Sequence, residues 1–242
     1  LVTSDLIGFL KGIGETIARE VERKHGIPRA RLLLTSSHTH SGPVLGDALH
    51  PCYPIDEPGR AAIGEYTGWL EGKIVDVVGE ALSRVAPATV SAGEGVATFA
   101  VNRRNNREAE VPRLRAEGAP LKGPSDTTVP VLVVRGASGG IAAIAFGYAC
   151  HNTNLDGYAW CRDYAGFAQA ALERTFRGAT AMFWQGCGAD QNPLPRRSLA
   201  LCERYGNELA ASVIEALARP LRSVNPRLRS AFEVAPLDFE RT

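Results

Sequence analysis

Residues 129–150 constrain the fold more than any other stretch. Two apolar runs of strand length, 129–135 and 141–150, flank Gly136-Ala137-Ser138-Gly139-Gly140. Strand-sized runs joined by a short glycine-rich segment form a β-hairpin, because glycine reaches the backbone conformations of tight turns without steric cost. The second run is the longest apolar stretch in the chain and contains Gly147. It falls well short of the roughly 20 residues that a membrane-spanning helix needs, so no transmembrane segment is expected. A sheet therefore lies at the centre, and other elements must cover it.

The rest of the pattern supplies the cover. Leu6, Phe9, Leu10, Ile13, Ile17 and Val21 recur at helical spacing up to Gly26, a helix-stop residue. Pro58 opens a second helical pattern through Ile63, Leu70, Ile74, Val77, Val78 and Leu82, ending before Pro87. Residues 1–3 and 31–36 read as strands, as does 88–101, where Gly93 and Gly95 mark a bulge or turn. A helix over 164–176, a strand over 180–184, a helix over 197–217 and a strand near 228–234 follow. Residues 102–128 lack periodicity and carry Arg103, Arg104, Arg107, Arg113, Arg115 and Lys122, as a functional loop or a solvated flap would. The alternation gives an α/β class: a mixed, mostly parallel sheet flanked by helices, with one antiparallel hairpin. One domain over 1–242 is expected.

Composition excludes some function classes. The net charge is +1, without the basic excess of a nucleic-acid binder. None of the five cysteines forms a C-x-x-C pair, which argues against a cysteine zinc knuckle, and their wide spacing suggests no disulfide framework. The chain opens at Leu1 inside an apolar run, and its only methionine is Met182. The expectation is an excerpt of a longer chain, truncated at both ends, which leaves the compartment open.

Chemistry gathers where three strands end. His38-Thr39-His40-Ser41-Gly42-Pro43 follows the apolar run at 32–34. His151-Asn152-Thr153-Asn154-Leu155-Asp156 follows the hairpin, and the segment 185–193 follows the strand through Phe183 and Trp184. In an extended chain, side chains two apart share a face, so His38 and His40 project together. Paired imidazoles bind a divalent metal, or one binds it while the other handles protons. Open α/β sheets bind ligands at the carboxyl ends of their strands, which would bring His38, His40, His151 and Asp190 into one crevice. Each residue also has a structural alternative. His151 fits a core histidine, Asp163 an N-cap of the helix starting at Tyr164, and Asp190 and Asn192 turn formers before Pro193. Cys187, between two glycines, is either a nucleophile or an inert buried thiol.

With these residues in view, the chain resembles a known family. The run from Ser37 to Pro43, then Asn102-Arg103, His151-Asn152-Thr153, Asp163-Tyr164-Ala165-Gly166, and Gln185 with Asp190, Asn192 and Pro193 come in order along most of the sequence. This ordered set is similar to the neutral/alkaline (non-lysosomal) ceramidases and their wider superfamily. The resemblance implies a metal-dependent amidohydrolase acting through metal-activated water on a small-molecule or lipid-like amide, with an ester as the alternative bond. A single Zn2+ would be held by His38 and His151, with a glutamate and a tyrosine expected beyond Thr242. It further implies that His40 moves the proton to the leaving group and that Arg103 contacts the substrate.

The chain also departs from the family. Gly186 stands where ceramidases carry a serine, and Val44-Leu45-Gly46-Asp47 lacks the glycine that follows the proline there. A serine-dependent step and ceramide itself are therefore not carried over. Two alternatives stay open: a cysteine hydrolase using Cys187, or an inactive metal-binding module of the same fold.

Overall fold

The structure, a computed structural model, describes residues 1–48 and 50–237. The first part of the chain forms β1 (Val2–Ser4), α1 (Lys11–His25), β2 (Leu34–Ser36), α2 (Glu57–Ser83), β3 (Ala88–Val96) and β4 (Ala100–Asn102). Then come α3 (Val111–Ala116), β5 (Thr128–Gly136), β6 (Ile141–Tyr148), α4 (Asp163–Thr175), β7 (Thr180–Gln185), β8 (Gln191–Pro193), α5 (Leu199–Leu217) and β9 (Arg222–Ser223).

The hairpin β5–β6 is where the sequence places it. Its turn closes through Gly139, at φ +82°, whose N–H donates to the Gly136 carbonyl at 2.9 Å. Five strands form the central sheet in the order β7-β6-β5-β3-β9. The α/β class and the mixed sheet hold, but the expectation of mostly parallel pairing does not. Only β6 and β7 run parallel, while β5–β6, β3–β5 and β3–β9 are antiparallel. A parallel neighbour needs a crossover that carries the chain back along the sheet, usually a helix. The 13-residue helix α4 does this between β6 and β7, whereas α3, between β3 and β5, has six residues. The parallel pair β1–β2, with α1 as its crossover, stands as a separate two-stranded ribbon against β7.

Two large hydrophobic clusters hold most of the elements, and a small third one gathers Val101, Val111 and Leu194. In the larger, α4 and α5 pack on each other and on the sheet over Phe146, Tyr148, Tyr164 and Phe183, all at most 1% exposed. Phe99 stacks on Tyr205 with ring centroids 4.7 Å apart, and the Tyr148 hydroxyl donates to the Ala97 carbonyl at 2.8 Å. Gly93 and Gly95 do not bulge β3, which runs unbroken. They admit close packing instead: a Cβ on Gly95 would meet the Ser212 carbonyl oxygen of α5 at 2.5 Å. The second cluster joins α1 and α2 through Leu6, Ile13, Ile17, Val21, Leu32, Leu45, Ile74 and Val75.

The strand read over 88–101 is two strands: β3 ends at Val96, and β4 pairs with β8 in a separate two-stranded sheet. Three further segments differ from the sequence reading. Residues 6–10 are not helical although their spacing continues that of α1, and the Ile7 carbonyl thereby stays free of the helix ladder. Residues 228–234 form no strand; Leu228, Phe232 and Val234 lie exposed, and the short β9 precedes them. The aperiodic segment 102–128 is fixed by side-chain hydrogen bonds. Asn106 Nδ2 donates to the carbonyls of Asn102 (2.8 Å) and Lys122 (2.7 Å), and Gln191 Oε1 accepts from the Asp126 N–H at 2.8 Å. Among the described residues no helix is long and apolar enough to cross a membrane.

Candidate metal centre and the cavities beside it

His38 lies just past β2, His151 just past β6, and Gly188 just past β7. His38 takes φ +61°, a left-handed conformation that costs a non-glycine residue about 1 kcal/mol or more. The rings of His38 and His40 therefore meet through a tight turn, not through the strand pleat that the sequence suggests. Their centroids are 5.0 Å apart, and those of His38 and His151 4.8 Å.

Hydrogen bonds fix the tautomers of two rings. His38 Nδ1 faces the Ile7 carbonyl at 2.6 Å and His151 Nδ1 faces the Gly188 carbonyl at 2.8 Å. A carbonyl only accepts, so both Nδ1 atoms carry the proton and both Nε2 atoms present lone pairs. Those Nε2 atoms are 3.2 Å apart. Two lone pairs this close repel unless a cation lies between them. Two nitrogens each bound to one tetrahedral ion at 2.0–2.1 Å stand about 3.3 Å apart, which matches the spacing found. His40 Nε2 is 3.4 Å from His38 Nε2, and the three rings offer ligand atoms all within 4.8 Å of one another. The cluster could hold a metal ion.

His40 differs from its neighbours. It is more exposed, and its Nδ1 has no protein partner among the described residues. Although one edge of the residue is open to solvent, packing around the ring nitrogens disfavours the charged form and, with the neighbouring His38, His151, Arg103 and Arg196, pushes its pKa down to about 4. His151 is shifted down too, first by burial, against the opposing bond to the Gly188 carbonyl.

Arg103 follows β4, whose pairing with β8 carries it to the third loop. Its N–H donates to the Asp190 carbonyl at 2.8 Å and its Nε to the Ala189 carbonyl at 3.0 Å. It lines a cavity of about 370 Å³ together with His40, His151, Thr153, Asp156 and Arg196. A second cavity of about 780 Å³ also begins at His40 and runs past Tyr53, Ile55, Ile63, Tyr66 and Trp160.

The other acids and the cysteine lie outside the cluster. Asp190 does not join the histidines; its carboxylate accepts from Asn102 Nδ2 at 3.3 Å. Asp163 opens α4 as a buried carboxylate, accepting from the Tyr164 N–H (2.7 Å) and the Leu155 N–H (2.9 Å), and so ties the loop after His151 to the helix. Burial raises its pKa despite these bonds. Cys187 is exposed rather than buried, and its thiol makes no hydrogen bond to a histidine among the described residues. The glycine after it is a packing requirement, since a Cβ on Gly188 would lie 2.6 Å from the Cys150 nitrogen.

The fold and this cluster define a class: an α/β scaffold with a three-histidine centre at the carboxyl end of its parallel strand pair. No family model matches the sequence. No curated protein matches it either. Solved structures do. A ceramidase complexed with C2 superposes with a TM-score of 0.76 at 18% identity, over 94% of this chain and 37% of that one. The neutral ceramidase from Pseudomonas aeruginosa gives 0.72 at 20% identity, over 94% and 38%. The chain thus has the fold of the neutral ceramidases and spans little more than a third of their length.

Sequence reasoning missed Arg196 and the two carbonyls that orient the rings. The adjacent pair Arg196-Arg197, straight after the third polar loop, was the available signal for the first. Nothing in the sequence marks a carbonyl.

Proposed function

We propose that this chain carries the histidine centre of a zinc-dependent hydrolase that cleaves an amide bond of the N-acyl type found in ceramide, or an ester. The observation that carries the reading is the pair of Nε2 lone pairs 3.2 Å apart on rings oriented through Nδ1. Neutral imidazole is a common zinc ligand, and a partner at the other ring nitrogen is the usual arrangement for metal-binding histidine. Zinc, when bound, supplies Lewis acidity that makes water a nucleophile near neutral pH and polarises a carbonyl.

The chain's own residues supply the rest. His38 and His151 hold the ion. His40 has one ring nitrogen free of protein partners, so it can exchange protons and deliver one to the leaving nitrogen. Arg103 directs its guanidinium toward the substrate's oxygen. The cavity past Tyr53 and Trp160 takes an apolar acyl group. His40 is also close enough to serve as a third ligand, a second reading that the 3.4 Å spacing to His38 favours.

The test is metal analysis of the full-length protein combined with hydrolysis of an N-acyl amide before and after chelation. Bound zinc and activity restored by zinc support the reading. Activity that survives chelation and disappears on thiol alkylation overturns it in favour of Cys187. Bound metal without hydrolysis of any amide or ester leaves the inactive binding module.

A further inference from the structure

The two cavities that meet at His40 differ in kind. One is walled by aromatic and aliphatic side chains, while the other presents two guanidinium groups. Arg196 is fixed in place: its Nε and Nη2 donate to Glu108 Oε2 at 3.0 and 2.7 Å, and its Nη1 to the Thr153 carbonyl at 3.2 Å. Arg103 is held only through Nε and its backbone, and its terminal nitrogens make no ion pair among the described residues.

The acids nearby are already engaged. Glu108 also accepts from Arg197 at 3.1 Å, and Asp156, the carboxylate in the cavity wall, pairs with Arg197. The charge of Arg196 lowers the pKa of Arg103, after burial and Arg104, with Asp190 opposing. Two like charges turned into one cavity without a shared counter-ion are an arrangement that a bound anion relieves. Thr153 lines the same cavity and accepts from Arg196 Nη1 through its carbonyl, which helps hold that guanidinium at the wall.

We infer that the substrate carries an oxyanion on the amine side of the scissile bond, held by Arg103 and Arg196, while its apolar acyl group occupies the aromatic cavity. The inference rests on the hydrolase reading above and narrows it to acyl amides of an anionic amine. Planar guanidinium matches the two-oxygen edge of a carboxylate or a phosphate, and both are covered by this chemistry. A volume of about 370 Å³ suits a small headgroup. The step balances without a redox partner. The oxygen of water bonds to the acyl carbon, the C–N bond breaks with its electron pair on nitrogen, and nitrogen takes a proton.

The experiment compares kcat/KM of the full-length zinc-loaded protein on N-dodecanoylglycine, N-dodecanoylphosphoethanolamine and the neutral N-dodecanoylethanolamine. At least one anionic compound should exceed the neutral one by about tenfold or more, and Arg196→Gln should lower that ratio about tenfold, as loss of one charge-assisted contact does. Which anion leads separates carboxylate from phosphate. Equal rates on all three in the wild-type protein overturn the inference and leave the hydrolase standing. Hydrolysis of none overturns the amidase reading on which the inference rests. Calorimetric binding then decides the anion site: tighter binding of N-dodecanoylglycine than of the ethanolamide, lost in Arg196→Gln, supports it, and equal binding overturns it.

Discussion

The histidine centre joins two unequal halves of the molecule. His151 and the Gly188 carbonyl come from the five-stranded sheet, backed by α4, α5 and an aromatic core in which Phe146, Tyr164 and Phe183 are almost fully buried. His38 and His40 come from the β1–β2 ribbon, a three-residue ladder backed by α1 and α2 around aliphatic side chains. In α2, 27 residues long, only Ile74 and Val75 are buried. The halves are laced at the site itself. Thr39 Oγ1 donates to the Cys161 carbonyl at 2.7 Å, and the Cys161 N–H donates to the Ser41 carbonyl at 2.9 Å. The difference teaches that the sheet half fixes one ring firmly while the ribbon half brings the other rings to it. An ion shared between them should stabilise the less buried side, because a ligand that binds only the folded form adds to its stability.

The largest effect expected is for His151→Ala, which removes the ring anchored in the sheet half. Zinc affinity should fall by more than the roughly 100-fold seen when only an outer partner of a ligand is lost, and hydrolysis should drop to background. Retained zinc in this variant would break the comparison at its root. His40→Ala is expected to lower kcat about 10²–10⁴-fold with zinc content unchanged, as loss of a proton carrier does. Zinc lost in parallel with activity would make His40 a ligand instead.

Core truncations probe the halves directly. Phe146→Ala should cost about 3–5 kcal/mol and lower the denaturation midpoint of the whole protein. Ile17→Ala should cost about 2–5 kcal/mol, with amide exchange accelerated first in residues 2–36 and zinc suppressing that local opening. Identical exchange patterns in the two variants would show that the halves unfold as one unit. Thr39→Val leaves the Cys161 carbonyl and the Ser41 N–H without their hydroxyl partner, at about 1–3 kcal/mol, and should weaken zinc binding more than it lowers the midpoint. The smallest change is expected for Cys187→Ala, whose thiol touches none of the three rings; most activity should remain in an amidase assay.

Much of this was legible in the residues. The hairpin was readable because five small residues between two apolar runs leave few alternatives, and the end of α1 because Gly26 takes φ +68° as a helix cap. His38, His40 and His151 were readable as a group because each follows an apolar run that ends in a polar loop. Less legible were the strand directions. An apolar strand reads the same whichever way its neighbour runs, and only the length and course of the intervening chain decide. Residues 6–10 show the same limit: their helical spacing is genuine, yet they stay outside the helix while the Ile7 carbonyl serves His38. Asp190 reads as a site acid and is instead taken up by Asn102 from a distant strand.

The sequence by itself therefore determined the hairpin, most of the long helices, the α/β class and the identities of the side chains that can bind a metal, because periodicity, turn chemistry and imidazole are properties of nearby residues. Tertiary structure alone decided that β6 has a parallel neighbour in β7 and an antiparallel one in β5. It also decided that the Ile7 and Gly188 carbonyls orient two rings, and that Arg196 meets Arg103 across one cavity. A carbonyl is the same in every residue, and a guanidinium's neighbours come from loops far apart in the chain. Their roles follow only from where packing brings the backbone.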